Sequence, residues 1–427
     1  MTQLDYKTAV RQYVASQEAD LLSISHKIHC KPELGLQEHQ ACKLLVSTLR
    51  ESGFEVETPV AGLDTAFVAT YQSDKPGPRV GFAAEYDCVP GLGHACGHNI
   101  IAASAVGAGL ALRSVVDDTG GSVTIFGTPD EEAVSPDSRG GKVVMAEDGV
   151  FDNVDVVLMT HPHSGGNVVW DYTFPLKDFN VTFLGKPAHY TLPHEGVNAL
   201  ECLLSFLSSV RAMQSNWQSG VMFAFTIVDG GGDSPIIIPE KATAHIAMKA
   251  FDAAYLEELF SKVEHCAANI ADMMGAQAKV TINSEYKSTI PNLGLVSLVQ
   301  ENLSLLDAPV VDPAESQRAL EQLDYPGPST DFADVSWVVP GIHWWSTVGN
   351  NSYVLHTPEF AEQAGSEAGD QTVLLAAKAM AMTGVDILTV PGCIESITQE
   401  FGRYREERFR NVPGIPPDFK PLPKGGE

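Results

Sequence analysis

The residues of this chain best suited to chemistry are a cysteine, several histidines and several acids that recur just beyond short apolar runs. After Arg79–Glu85 come Tyr86-Asp87 and then Gly93-His94-Ala95-Cys96-Gly97-His98. After Ser122–Gly127 come Asp130, Glu131 and Glu132; after Val154–Thr160 come His161 and His163; after Ser352–Leu355 comes His356. Thiolate, imidazole and carboxylate together suit Zn²⁺ or a neighbouring first-row ion. Two such ions, roughly 3.5–4 Å apart, call for a bridging anion, and Cys96 could bridge as a thiolate. Of the adjacent Glu131 and Glu132, one can bind metal while the other takes the proton of an attacking water. These types support metal-assisted hydrolysis of an amide. Taken singly, each has a duller reading. Cys96 with His98 could be structural, paired glutamates are commonly just solvated, His161 before Pro162 could sit in an ordinary turn, and His356 could cap a strand. It is the repetition at strand ends that carries the expectation.

Ligands of open α/β sheets gather outside the carboxyl ends of the strands, so these loops must share one rim. Residues 5–50 read as helical, broken at Pro32-Glu33-Leu34-Gly35, and Thr65–Tyr71 and Arg79–Glu85 read as strands around a Lys75-Pro76-Gly77-Pro78 turn. Asn99–Leu112 is rich in alanine and glycine and reads as a buried helix. Strands alternating with helices imply an α/β sheet with both faces covered.

From about residue 175 the texture changes. Phe179, Val181 and Phe183 alternate with Asn180 and Thr182, the period of a half-buried strand. A helix over 196–213 follows, then strands at Val221–Val228 and Thr243–Lys249. A second helix runs from an Asp252 cap to a Gly275 stop, and Lys279–Tyr286 closes the block. The order β-α-β-β-α-β is that of a split, open-faced sandwich. The expected division is therefore one α/β domain over 1–174 and 288–427 with an inserted α+β domain over 175–287. Asn411–Glu427, rich in proline, glycine and lysine, reads as a loosely packed arm.

The 427 residues are too many for one ordinary core, which agrees with two domains. Fifty-four acidic against 27 basic side chains give a formal charge of −27, which repels phosphate backbones and anionic membranes. No nucleic-acid or membrane partner is expected. The seven cysteines are odd in number and scattered, the N-terminal stretch lacks the apolar core of a secretory signal, and a cytoplasmic location is expected.

Several stretches resemble a known family. They are Ile28–Glu38 (IHCKPELGLQE), Ala84–Asn99 (AEYDCVPGLGHACGHN), Gly127–Glu132 (GTPDEE), Gly185–Ala199 (GKPAHYTLPHEGVNA), Ser329–Ser336 (STDFADVS) and His356–Ser366 (HTPEFAEQAGS). Together they span nearly the whole chain. The sequence resembles the aminoacylase/carboxypeptidase-type dinuclear metallopeptidases, in the amidohydrolase branch of aminobenzoyl-glutamate hydrolases, hippurate hydrolase and auxin-conjugate amidohydrolases. It looks closest to the aminobenzoyl-glutamate hydrolase B-subunit group and its dipeptidase-like relatives. The resemblance implies a zinc-aminopeptidase/carboxypeptidase-like catalytic domain, with a mixed sheet flanked by helices, and a ferredoxin-like lid that also forms a homodimer.

It implies two divalent metal ions per subunit, zinc first, with manganese, cobalt or nickel able to support the same geometry. Cys96 would bridge them, and His98, Glu132, His161 and His356 would complete the ligands. Glu131 would be the general base and Asp87 the acid that orients a ligand. His189, in the lid, would reach a partner's site and stabilise the oxyanion, and His94 and His163 match no ligand position. The lid strand that commonly ends in arginine ends here in Lys249, the expected substrate-binding cation, although lysine lacks arginine's planar two-point grip. The run Pro235-Ile236-Ile237-Ile238-Pro239 and Pro328 also depart from the usual pattern. The expected reaction is hydrolysis of a small N-acyl amino acid or dipeptide-like substrate, of the aminobenzoyl-glutamate or β-alanyl dipeptide type. Two other readings are a cysteine amidase with Cys96 as nucleophile and a non-catalytic relative that binds a partner.

Overall fold

Short runs of β-branched and aromatic residues, closed off by glycine, proline and aspartate, form the first strands: β1 (Glu55–Glu57), β2 (Phe67–Gln72), β3 (Arg79–Ala84), β4 (Ser122–Gly127) and β5 (Val156–His163). The computed structural model describes residues 2–133, 138–170, 172–349 and 353–410, with the side chains of 407–410 excluded. The arm expected over Asn411–Glu427 lies outside the described residues. The chain continues through β6 (Leu176–Leu184), β7 (Ala188–His189), β8 (Met222–Asp229), β9 (Ile237–Ile238), β10 (Lys241–Lys249) and β11 (Gln277–Tyr286), then returns as β12 (Gly341–Thr347).

The large sheet has the order β1-β2-β4-β3-β5-β12. Its β4-β3-β5-β12 part is parallel and β1 and β2 add antiparallel to one flank, so the sheet is mixed. From β3 the chain goes to one side for β4 and to the other for β5, which makes the carboxyl end of β3 the switch point where a crevice opens. The acids Glu85 and Asp87 stand directly past that end.

Two expectations are corrected here. Tyr353–Leu355 form no strand, and Ser352 lies outside the described residues; the strand that precedes His356 is β12, and His356 sits in a turn. A polar-aromatic sequence, Gly341-Ile342-His343-Trp344-Trp345-Ser346-Thr347, hides the usual apolar signal of β12. The 5–50 region is helical with its break across Pro32–Gly35, between Glu18–His29 and His39–Glu51, but a second break at Gln17, not expected, sets off Gln3–Ser16.

The helix His98–Thr119 fills the core beside the sheet, in contact with β3, β4 and β5 on one side and with helices Gln3–Ser16, Glu18–His29 and Glu367–Thr389 on the other. Its glycines let it come this close: a Cβ on Gly109 would stand 2.4 Å from Ile125 Cδ1, and one on Gly107 would stand 2.9 Å from Leu21 Cδ1. This helix and Glu367–Thr389 are long and apolar enough to cross a membrane by length and composition, but both are mostly buried inside the protein. The close packing fixes the first residue of the core helix, His98, at the crevice.

The second sheet, β11-β6-β10-β8, is antiparallel throughout. Helices Ala199–Met213 and Ala253–Met274 cover one face, burying Phe179, Val181 and Phe183. The alternate residues Asp178, Asn180 and Thr182 are left on the polar open face. The element order is the β-α-β-β-α-β read from the sequence, with a small β7-β9 ribbon added. Entry and exit run side by side, where Thr289 N–H donates to Thr173 O at 3.2 Å.

Candidate metal centre

The loop before the core helix carries the first donors. Gly97 caps that helix with φ +81°, and a Cβ there would meet Pro162 Cγ at 2.5 Å. Both the backbone and the space therefore require glycine, and the close approach to Pro162 brings Cys96 against the end of β5. Cys96 Sγ lies 3.3 Å from His161 Nε2. His161 Nδ1–H donates to the Pro162 carbonyl at 2.9 Å, which leaves a lone pair on Nε2 facing the thiol. Burial and the neighbouring His343 hold this imidazole well below its ordinary pKa, so it stays neutral.

His98 is wholly buried, and its Nδ1–H donates to Asp87 Oδ1 at 2.8 Å. The other oxygen of Asp87 accepts the Glu132 backbone N–H at 2.9 Å, so one carboxylate orients both a histidine and the glutamate loop. His98 Nε2 faces Glu85 Oε2 at 3.3 Å and Glu131 Oε2 at 3.8 Å. Across the crevice, His356 Nε2 lies 3.4 Å from Glu132 Oε1. The turn that delivers His356 has φ +62°, and its N–H donates to Ala95 O at 2.9 Å, tying it to the cysteine loop. Asp130 and Ala133, which bracket the two glutamates, also have left-handed φ, 64° and 46°. Such non-glycine strain concentrates where side chains are held for function.

Two donor groups result. Cys96, His98 and His161 form one, and Cys96, Glu132 and His356 form another, with the ligand atoms of each within 4.8 Å of one another. The shared residue is Cys96. The atoms His98 Nε2 and Glu132 Oε1 are buried with no hydrogen-bond partner. Unpaired buried acceptors are costly, and a pair of cations satisfies them. The donor set of sulfur, imidazole nitrogen and carboxylate oxygen is that of zinc and its neighbours, so the residues fit the ions.

The electrostatics agree. Burial, then Glu85, Asp331 and Glu132, push the Glu131 carboxyl well above its ordinary range, and burial with Glu132 does the same to the Cys96 thiol. Burial opposes a charge on His98, but Cys96, Asp87 and Glu85 overcome it and pull the imidazole well above its ordinary value. Metals compete for the sites these protons hold.

The centre opens into a cavity of about 460 Å³ between the two sheets. Its floor includes Cys96, Glu131, Glu132, His161, His343, Trp345 and His356, and the second sheet supplies Leu176, Asp178, His245, Lys249, Ser284 and Tyr286. Lys249, at the end of β10, donates to Gly327 O at 3.2 Å, and burial pulls its ammonium below the usual lysine range. Tyr286 O–H donates to the Glu131 carbonyl at 3.0 Å, a direct tie between the sheets. His189 is exposed on the β7-β9 ribbon, its Nδ1 2.8 Å from Thr191 Oγ1, and does not line the cavity of its own chain. His94 and His163 donate to the backbone carbonyls of Ile28 and Gly166.

Sequence reasoning passed over Glu85, Lys142, Asp331, His343 and Trp345. Lys142 is wholly buried and pairs with Asp331 and, at 2.7 Å, with Glu85. Burial opposes ionisation of Glu85, yet Lys142, His98 and His161 hold its carboxyl down at about 2. A signal existed: Lys142 interrupts an otherwise small and apolar run, Gly140-Gly141-Lys142-Val143-Val144-Met145.

Residues 173–274 match the peptidase dimerisation domain of the M20 family. Over 414 residues the chain is 35% identical to mouse Xaa-Arg dipeptidase, covering 91% of each protein. It is 24% identical to a subunit of the Escherichia coli p-aminobenzoyl-glutamate hydrolase, covering 94% of this chain and 95% of that one. A Bacillus subtilis dinuclear metal-binding peptidase of the M20 family has the same fold, with a TM-score of 0.62 at 20% identity, covering 88% of this chain and 99% of the other.

Proposed function

The chain belongs to the M20 family of metal-dependent peptidases and amidohydrolases, and on that premise we propose that it hydrolyses the amide bond of a small dipeptide-like or N-acyl amino acid substrate. The observation that carries this reading is the pair of donor groups sharing Cys96, with the Glu131 carboxylate beside them and a cavity above. In the proposal Cys96, His98 and His161 hold one ion and Cys96, Glu132 and His356 the other, zinc being the first choice. Ions held by these residues would supply the Lewis acidity that polarises the amide carbonyl and acidifies a water.

Glu131 takes the proton of the attacking water on a carboxylate oxygen and returns it to the departing amine. Asp87 keeps the His98 proton on Nδ1, so that Nε2 is available. Lys249 meets the carboxylate of the substrate, and closure of the lid sheet over the centre excludes water. His189 of a second copy donates to the oxyanion. That role requires a homodimer through the lid, whose exposed Ile227, Val228, Ile236 and Ile237 supply apolar surface for pairing. Sedimentation as a monomer at assay concentrations would remove this part. A reducing, cytoplasmic setting fits seven cysteines that are all free thiols, and a disulfide in protein taken from cells would contradict it.

The lid wall narrows the substrate class. Asp178 lines the cavity, where its carboxylate accepts from His245 Nε2 at 2.6 Å and from Asn283 Nδ2 at 2.8 Å. A carboxylate has lone pairs beyond these, and an anion on that wall favours a cationic substrate side chain over glutamate. Similarity to the Xaa-Arg dipeptidase points the same way. Asp178→Asn is expected to lower kcat/KM about 10–100-fold for a dipeptide ending in lysine or arginine, the worth of a charge-assisted hydrogen bond, and to change a norleucine analogue little. Equal losses on both substrates would remove Asp178 from the specificity site. The test of the whole reading is a panel of β-alanyl dipeptides, N-acyl amino acids and aminobenzoyl-glutamate, assayed with and without divalent ions. No turnover of any member in the presence of metal would overturn it.

A further inference from the structure

We propose that Glu85 is itself a ligand of the ion held on His98, adding a carboxylate to that ion's donors, and that buried Lys142 and Asp331 hold its side chain for that purpose. The proposal rests on the metal reading above and adds a residue to it.

Glu85 directly follows the last residue of β3, at the switch point of the sheet, and is wholly buried. Its Oε2 lies 3.3 Å from His98 Nε2. The Nδ1 proton of His98 is committed to Asp87, so in the neutral ring two lone-pair atoms face each other in a dry space. Two facing acceptor atoms buried at this distance are placed to share a cation. Glu85, His98 and Glu131 form a further donor group with ligand atoms within 4.8 Å of one another, and it shares His98 with the group of Cys96 and His161. An ion on His98 Nε2 thus has the Glu85 carboxylate at hand.

The packing points the same way. Lys142 stands between two buried carboxylates, Glu85 at 2.7 Å and Asp331, and all three side chains are sealed from solvent. Lys142 contacts Glu85 Oε1 and so leaves Oε2 for the ion, while the Lys142 backbone N–H donates to Asp331 Oδ2 at 2.9 Å and fixes the clamp to the helix Gly141–Glu147. Removing a protein ligand is expected to weaken an ion by at least the 10–100-fold seen for losing an orienting partner.

The test is metal binding by the full-length protein, independent of turnover. Stripped wild-type protein and Glu85→Gln are titrated with Zn²⁺ against a chromophoric chelator, and Co²⁺ spectra report the donor set. Wild type is expected to bind two ions, and Glu85→Gln to bind one ion as wild type does and the other at least about 10–100-fold more weakly, with a changed Co²⁺ spectrum. Glu85→Gln leaves Lys142 with one partner fewer, so the double variant Glu85→Gln/Lys142→Met, which removes the pair together, guards against misfolding. It is expected to show the same weakened ion with a native circular-dichroism spectrum. Two ions bound at wild-type affinity by either folded variant would overturn the proposal and make Glu85 a strut. Failure of wild type itself to bind two ions would instead overturn the metal reading.

Discussion

Stripped of divalent ions by a chelator, the protein is expected to fall to background turnover and to recover when Zn²⁺, Mn²⁺, Co²⁺ or Ni²⁺ is added back. The physical reason lies in the charges. Without cations, burial and Glu132 favour the protonated form of the Cys96 thiol, and burial with three acidic neighbours pushes the Glu131 carboxyl towards its protonated form as well. A protonated base cannot accept a proton, and a neutral thiol is a poor ligand, so stripping removes both the Lewis acid and the base. A loss of at least about 10³-fold follows from the several kcal/mol such an ion supplies to transition-state charge. The same assay separates this reading from a cysteine amidase. There, chelation leaves the rate unchanged and alkylation of Cys96 abolishes it, whereas here bound metal protects Cys96 from alkylation. Full activity in rigorously metal-free protein would end the metal proposal.

Glu131→Gln is the second large effect. Glutamine keeps the size and the hydrogen-bonding reach of the side chain but cannot carry a proton between water and amine. A general base of this kind contributes about 10²–10⁴-fold, so kcat is expected to drop by that factor. Glu131 belongs to neither donor group built on Cys96, so the metal content is expected to stay at two ions, and the hydrogen bond from Tyr286 survives because it goes to the Glu131 backbone carbonyl. The split between lost turnover and kept metal is the informative part. A near-normal rate would take the base assignment away from Glu131, and loss of an ion would make it a ligand instead.

The strands that set up the centre were legible because they answer to local physics. The strands β3, β4 and β5 announce themselves as apolar runs that stop at acids or histidines, whereas the left-handed φ of Gly97 was supplied only by the structure. The lid was readable for the same reason, since Phe179, Val181 and Phe183 alternate with polar neighbours. Strand β12 was not, because its buried residues include His343 and Ser346, polar groups that a hydropathy pattern counts as surface. His189 illustrates a different limit: its place on an exposed ribbon is fixed by β7 pairing with β9, and its proposed partner belongs to another copy.

The amino-acid sequence alone determined which atoms were available: one thiol flanked by histidines, two adjacent glutamates and distant histidines, each past the end of an apolar run. Local spacing decides such things, because turn geometry and strand period act over a few residues. The tertiary structure alone decided which of these atoms meet. Cys96 joins two donor groups, Asp87 spans His98 and the Glu132 backbone, and Glu85, Lys142 and Asp331, separated by 57 and 189 positions in the chain, are sealed together beneath them. Such meetings depend on the order of the strands and on how closely a helix can lie against the sheet, and no local pattern encodes the charge balance of a space that forms only when the sheet closes.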